Sequence, residues 1–474
     1  MTRADDGRPA APSTVPEDLE DLALRDDYAL NPAFVEMVVD AAERGDSRRL
    51  SELMDALHPA DIADLMGFLS ADYREALVPL LSPEVLAEVL SELEGTLRED
   101  ILEHVAPGAL AAAIGEMDSD DAADVVDDLE ADVRGQVLAH MSDVDRAGIE
   151  HSLAYGDETA GRLMQREVLA APQFWTVGQT VEHVREAAAD LPDLFFDVYV
   201  VDPANRPVGA APVSRLLKSR PEAPLSEIME PVTEIPAGMD QEEVAYIFDK
   251  YHLISAPVVE PGGRLVGQIT VDDIVGVIQE ESQEDMLALA GVSDVERGAG
   301  VWGITRSRFW WLFINLGTAI LASSVIAIFQ GSIEKFAALA VLNPIAASMG
   351  GNAGTQTLTV AVRAIATKEL NATNVLMTIW RELAVGILNG AAFFVVMGGV
   401  TLVWFHDPVM AAIAGAAMLI NMFAAALAGI LIPLGLDAVG FDPAASSVVF
   451  LTTVTDCVGY FSFLSLATIF LIRH

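Results

Sequence analysis

The residue with most chemistry to offer for its setting is Asp456. It lies about twelve residues into an apolar stretch, 445–472, preceded by hydroxyls in Thr452-Thr453-Val454-Thr455-Asp456. A carboxylate near the middle of a membrane span costs roughly 2.5–3.5 kcal/mol, so an acid there marks a functional position by default. A proton, a basic partner on a neighbouring span or a cation in transit would each compensate it. Thr452 stands one helical turn before Asp456 on the same face, and a carboxylate in line with a hydroxyl is a pair of hard oxygen ligands. The basic residue with reach, Arg381, opens another apolar stretch beside Glu382 and reads as a local ion pair or as a cation snorkelling to the interface. Glu382 stays open between an interfacial ion pair and a lining of the same pathway.

A second constellation is Asn343-Pro344-Ile345-Ala346-Ala347-Ser348-Met349-Gly350-Gly351-Asn352-Ala353-Gly354-Thr355-Gln356-Thr357. Glycines, a proline and amide side chains inside an apolar stretch are expected to loosen a helix. Carbonyls freed at that depth are tolerated only where protein or water satisfies them, as along a pore wall. The alternative is that the glycines simply permit close helix packing.

These residues need a membrane domain to hold them. The run from Phe309 to Phe329 is free of formal charge and long enough to cross a hydrocarbon core of roughly 30 Å. Further apolar stretches follow, giving five expected spans at about 309–329, 336–366, 379–405, 409–435 and 445–472. Arg297, Arg306 and Arg308 precede the first, and Arg363, Lys368 and Arg381 lie between the second and third; the other side has Lys335 and Arg473. By the positive-inside rule the amino-terminal region is cytoplasmic and the carboxyl terminus outside the cell membrane. A re-entrant second segment would reverse only the end of the chain.

Charge is segregated along the 474 residues. Region 301–474 holds seven Lys/Arg and seven Asp/Glu, so the other 20 basic and 63 acidic residues, and the whole net charge of −43, fall in 1–300. Such an acidic surface excludes nucleic acid as a partner, since phosphate neutralisation demands a basic face, and it favours cations. The single cysteine, Cys457, forms no intramolecular disulfide and reads as a packing residue. Residues 1–18 read as a disordered tail without a cleavable signal peptide.

The soluble half contains two repeat systems. Helix-start residues recur about every twelve positions between 57 and 143, at Pro59, Ala71, Pro83, Thr96, Pro107, Ser119 and Ala131, each opening an amphipathic stretch too short to stand alone. Residues 19–152 are therefore expected to form an all-α superhelix of stacked short helices. In 153–280, Asp197-Val198-Tyr199-Val200-Val201-Asp202-Pro203 matches Ser255-Ala256-Pro257-Val258-Val259-Glu260-Pro261. Each copy reads strand, turn, strand, helix, and each is preceded by a helical stretch and a Met-containing opener, Leu163-Met164 and Ile228-Met229. This order resembles a tandem pair of α/β CBS domains, a module that commonly senses adenosine nucleotides, and an adenine nucleotide is accordingly an open ligand.

Acidic runs connect the two halves. In the connecting segment 271–300, Glu281, Glu284 and Asp285 share one helical face, and in the amino-terminal domain Asp120 shares a face with Asp124. Such runs are either solvated surface or, where like charges meet, cation sites.

Taken together, the motifs Gly350-Gly351-Asn352-Ala353-Gly354-Thr355-Gln356, Arg381-Glu382 with Gly386 and Gly390, and Thr452-Thr453-Val454-Thr455-Asp456-Cys457-Val458-Gly459-Tyr460-Phe461 resemble the MgtE family of magnesium channels and transporters. The resemblance covers nearly the whole chain; one departure is Ser465, where the family often has glycine. It implies a homodimer with the pore between subunits. Asp456 would be the principal Mg²⁺ carboxylate, with Thr452, Asn352 and Glu382 along the path. It further implies regulatory Mg²⁺ held by Asp120, Asp124, Glu242, Asp273, Glu281, Glu284, Asp285 and Asp442, and a connecting "plug" helix that closes the pore as cytosolic Mg²⁺ rises. Mg²⁺ surrenders water reluctantly, so one carboxylate per subunit facing a hydrated ion suffices.

The expected class is thus a multi-domain membrane protein: helical superhelix, tandem CBS domains and five transmembrane helices, working as a transporter and not as an enzyme. The alternatives are a CBS-regulated carrier of Mn²⁺ or Co²⁺, or an intramembrane enzyme. The last requires a cluster such as His-Glu-x-x-His, and His406 is the only histidine among the spans before the terminal His474. No Gly-x-x-x-x-Gly-Lys loop for direct ATP-driven pumping is present either. An anion path would need positive charge that the spans lack.

Overall fold

A computed structural model of the protein describes residues 19, 22–93, 95–187, 191, 194–292, 301–370 and 373–472. The expected disordered tail, 1–18, and positions 293–300 of the connecting segment lie outside them. The chain divides into two compact units, the first ending at Ile278 and the second beginning at Gln279.

In the first unit, helices begin at Pro59, Ala71, Pro83, Gly95, Pro107, Ser119, Ala131 and Asp143, each twelve residues after the last. The starts follow from local chemistry. Pro59, Pro83 and Pro107 occupy first-turn positions where a missing N–H costs nothing, and Ser82 and Ser142 accept backbone hydrogen bonds as N-caps. Helices of ten residues or fewer are marginal alone, so packing must hold them. Each packs on the next but one: Pro59–Phe68 on Pro83–Glu92, that on Pro107–Ile114, and that on Ala131–His140. Leu65, Met66, Leu90, Leu110, Ile114 and Val125 are buried between them. A twelve-residue repeat thus alternates helices between two layers.

The rest of this unit carries two equivalent three-stranded sheets. Ala170–Pro172 pairs parallel with Asp197–Val201, which pairs antiparallel with Pro207–Pro212. Ile235–Pro236 pairs in the same way with Ser255–Val259, and that with Leu265–Thr270. The register slips at the same place in each, between Val200 and Val201 and between Val258 and Val259. The Met openers cross over. Met229 of the second repeat packs on Gly209 of the first, and Met164 of the first on Gly267 of the second. A Cβ at Gly209 would lie 2.8 Å from the Glu230 carbonyl, and one at Gly267 2.6 Å from that of Gln165, so neither position accepts a side chain. A buried chain joins the sheets: the Tyr199 hydroxyl donates to Ser255 Oγ at 2.9 Å, which donates to Asp197 at 2.8 Å.

The second unit is built on five long helices: Val301–Ile328, Ala338–Ala366, Val375–Phe405, Pro408–Asp437 and Pro443–Ala467. Among the described residues four segments, Val301–Ile328, Val375–Phe405, Pro408–Asp437 and Pro443–Leu471, are long and apolar enough to cross a membrane. The Ala338–Ala366 helix has the length, about 43 Å at 1.5 Å per residue, but its amides, hydroxyls and glycines dilute its apolar character. Those groups are sheltered by packing: Asn343, Gly350, Gly354 and Thr357 are all buried. Pro408–Asp437 is the central helix, in contact with the helices at 338–366, 375–405 and 443–467. Its buried face is mostly small residues, among them Ala414, Ala417, Ala425 and Gly429, which let neighbours approach closely.

One expectation is corrected. The Asn343–Thr357 stretch does not open the helix; Ala338–Ala366 runs unbroken through Pro344 and the glycines. The glycines serve contact instead, a Cβ at Gly354 falling 2.7 Å from Leu451 and one at Gly350 2.1 Å from the Asn421 amide. The described part of the first helix, Val301–Ile328, contains nearly all of the expected run and carries exposed Arg306 and Arg308 ahead of it.

Candidate cation path and its acidic sensors

Asp456 lies mid-way along the Pro443–Ala467 helix, half-buried. Its carboxylate makes no hydrogen bond or ion pair with any described residue, and Arg381 is 74% exposed at the start of a different helix, 3.8 Å from Glu382. Of the compensations open to a mid-helix acid, a basic partner in the same chain is therefore absent among the described residues. The Thr452 hydroxyl donates back to the carbonyls of Val448 and Val449, leaving its oxygen lone pairs available. Asn352 is exposed on the Ala338–Ala366 helix, while its neighbour Gly351 faces Thr455, whose Oγ1 would lie 3.9 Å from a Cβ there.

What fixes these two helices against each other is Asn421, which sequence reasoning missed. It is fully buried on the Pro408–Asp437 helix, donates Nδ2 to the Ala346 carbonyl at 2.8 Å, and is flanked by Gly350 on one side and Gly459 on the other. The available signal was a lone carboxamide in the apolar run Leu419-Ile420-Asn421-Met422-Phe423.

Glu382 is not gathered with Asp456. It is buried, 8% exposed, and lines a cavity of about 140 Å³ whose polar walls are Gln356, Thr357 and Asn389 and whose apolar walls include Met422 and Ala426. No lining residue comes from the Asp456 helix.

In the first unit, the expected regulatory acids divide. Asp120 is buried, its Oδ1 without a hydrogen-bond partner. Burial, then the charge of Asp273, pushes its carboxyl well above the usual range. Asp273 accepts from Thr270 Oγ1 at 2.7 Å, and burial raises it to about 7. Two acids forced together and away from water suit a hard cation between them. Asp124 is engaged differently: the Arg162 guanidinium reaches Asp124 and Asp127, each at 3.1 Å. Its shared face with Asp120 therefore does not make one site. Ser119 and Glu167 tie the same helix start to the following segment at 2.8 Å. Glu242 is exposed on the first turn of Gln241–Tyr251. Nothing in the sequence spacing marked Arg162 as the docking cation.

In the second unit, Glu281 and Asp285 are half-buried and Glu284 points outwards, so the expected common face is split. Burial first, then the charges of Asp442 and Glu281, raises the Asp285 carboxyl. Asp442 caps the Pro443–Ala467 helix, accepting from the N–H groups of Ala444 and Ala445. One turn on from Asp285, Ala288 and Leu289 pack on an apolar cluster that includes Leu358, Val362, Ala428 and Leu451. The connecting helix thus ends against an apolar cluster drawn from the helices at 338–366, 408–437 and 443–467.

Comparison with known proteins bears on this arrangement. Residues 343–466 match the MgtE divalent cation transporter family, 57–158 the MgtE intracellular N domain, and 225–280 the CBS domain. The magnesium transporter MgtE of Thermus thermophilus is 32% identical over 440 residues, 91% of this chain and 97% of that one. The chain belongs to the MgtE family. The MgtE of Enterococcus faecalis is 33% identical, over 68% of this chain and 71% of its own. Among solved structures, the cytosolic domain of the Mg²⁺ channel MgtE in complex with ATP is 31% identical, with a TM-score of 0.49, covering 51% of this chain and 99% of that one. As a member of this family the chain is a transporter and not an enzyme, with an MgtE intracellular N domain and a CBS domain ahead of its transporter domain.

Proposed function

We propose that this chain is one subunit of a homodimeric, Mg²⁺-selective channel or transporter of the cell membrane that admits Mg²⁺ to the cytoplasm down its electrochemical gradient. Five helices cross the bilayer, with the soluble domains inside and the carboxyl terminus outside, as the basic residues Arg306, Arg308, Arg363, Lys368 and Arg381 favour. The observation that carries this reading is the solitary state of Asp456: a half-buried carboxylate amid an apolar helix, without a hydrogen bond or ion pair to any described residue. An isolated acid at that depth is costly. A hydrated divalent cation on the path between two subunits offsets the cost, with Thr452 and Asn352 supplying neutral oxygens.

Closure follows from linkage. Mg²⁺ binding between Asp120 and Asp273, and among Glu281, Asp285 and Asp442, favours whichever conformation brings those acids together. The donor set fits, being hard oxygens with an orphaned buried Asp120 Oδ1. Glu284, Glu242 and Asp124 complete the set of regulatory acids that the family resemblance implies. Rising cytosolic Mg²⁺ then populates the closed form, and depletion opens it. Adenine nucleotide binding by the CBS pair would act on the same equilibrium.

The test is divalent-ion flux through purified protein in liposomes, with internal Mg²⁺ varied and Mn²⁺ and Co²⁺ competing. Mg²⁺ uptake should fall as internal Mg²⁺ rises and vanish in Asp456→Ala with assembly preserved. Full uptake by Asp456→Ala would remove the ion-site assignment.

A further inference from the structure

The cavity around Glu382 is not accounted for by a pore that runs past Asp456. Its walls come from the Ala338–Ala366, Val375–Phe405 and Pro408–Asp437 helices of a single subunit. It contains a buried carboxylate, Glu382, two carboxamides, Gln356 and Asn389, and the hydroxyl of Thr357. Among the described residues Arg381 is the cation beside Glu382; it reaches a single oxygen at 3.8 Å, beyond hydrogen-bond distance, and is itself 74% exposed. The lone pairs of Glu382 are thus left to the cavity. Four hard oxygen groups converging from two helices, with apolar Met422, Ala426, Val360 and Val385 around them, are a donor set for a cation that keeps part of its water. At about 140 Å³ the cavity is large enough to hold a cation with water beside it.

We propose that Glu382, Gln356, Thr357 and Asn389 form a second, intrasubunit site for a partly hydrated divalent cation, separate from the Asp456 site. The proposal rests on the reading of the chain as a divalent-cation transporter. A protein that conducts through Asp456 alone would leave this site empty, so the two can fail independently.

The test uses the full chain in lipid nanodiscs with Cys457→Ser as background and Val385→Cys, a cavity-lining position, as reporter. The rate of its modification by a small methanethiosulfonate is measured with and without Mg²⁺. Mg²⁺ should slow modification at least fivefold, the protection should be lost in Glu382→Gln, and it should persist in Asp456→Asn. Protection that survives Glu382→Gln, or disappears in Asp456→Asn, overturns a separate site. Val360→Cys serves as a second reporter on another wall. If neither cysteine reacts even without Mg²⁺, the cavity is closed to water and the proposal is wrong. Size-exclusion profiles identical to the parent confirm that Glu382→Gln still folds.

Discussion

Gly350 offers a sharp test of how the helices around Asp456 are held. A methyl added there would lie 2.1 Å from Asn421 Nδ2 and 2.6 Å from its Cγ, more than 1 Å inside ordinary contact. Asn421 cannot retreat, because it is fully buried and Gly459 abuts its other side, where a Cβ would stand 2.8 Å from the same nitrogen. Gly350→Ala must therefore displace the carboxamide and break its 2.8 Å bond to the Ala346 carbonyl. Overpacking of this kind costs about 1–3 kcal/mol, and an interhelical hydrogen bond in a membrane protein about 0.6–1.7 kcal/mol. The sum, about 1.6–4.7 kcal/mol, corresponds to a roughly 10- to 2,000-fold shift towards the unfolded state. Asn421→Ala alone should cost about 1 kcal/mol, since it loses the bond but also removes the unpartnered Oδ1. In the double variant the methyl of residue 350 occupies space that the carboxamide vacates, so Gly350→Ala should add almost nothing to Asn421→Ala. The assay is SDS-driven unfolding of the full chain in mixed micelles, followed by tryptophan fluorescence, with Gly399→Ala as the control because nothing lies within 4 Å of its added methyl. Strict additivity of the two variants, or a Gly350→Ala protein as stable as the parent, would refute the packing argument.

Two further outcomes are expected. Neutralising Glu281, Glu284 and Asp285 together should leave conduction intact but move closure to several-fold higher internal Mg²⁺ in patch recordings; an unchanged dose response denies them a sensor role. The raised carboxyls of Asp120 and Asp273 oppose the charged form in the folded state, so without Mg²⁺ their contribution to stability is present at acid pH and is lost as pH rises through about 7. The thermal stabilisation by Mg²⁺ should therefore be larger at pH 8 than at pH 6, and an equal or reversed difference speaks against a cation between these acids.

The elements were largely legible in the sequence, and the neighbourhoods were not. Twelve-residue spacing of helix starts and the match of Asp197–Val201 to Ser255–Val259 are local signals, because capping and strand patterning act within a few residues. The crossing of Met164 to Gly267 and of Met229 to Gly209 depends on how two repeats interlock, which neither repeat encodes alone. The same holds for Arg162 against Asp124 and Asp127, and for Gln356 and Asn389 around Glu382: each pairing joins separate elements. Helical spacing placed Asp120 with Asp124 and Glu281 with Glu284, yet tertiary burial separated both pairs, one acid turning inward and the other to solvent or to arginine. The glycines at 350 and 354 read equally well as flexibility or as contact, and only the bulk of Asn421 and Leu451 decides for contact.

The central claim is that Asp456 meets a hydrated cation between two subunits. The most direct measurement is a density map of the full-length assembly in lipid with Mg²⁺ present. The expected result is a dimer with an ion on its two-fold axis within about 5 Å of both Asp456 carboxylates, bridged by water. A map with Asp456 turned to lipid, or with the ion path passing elsewhere, would contradict it.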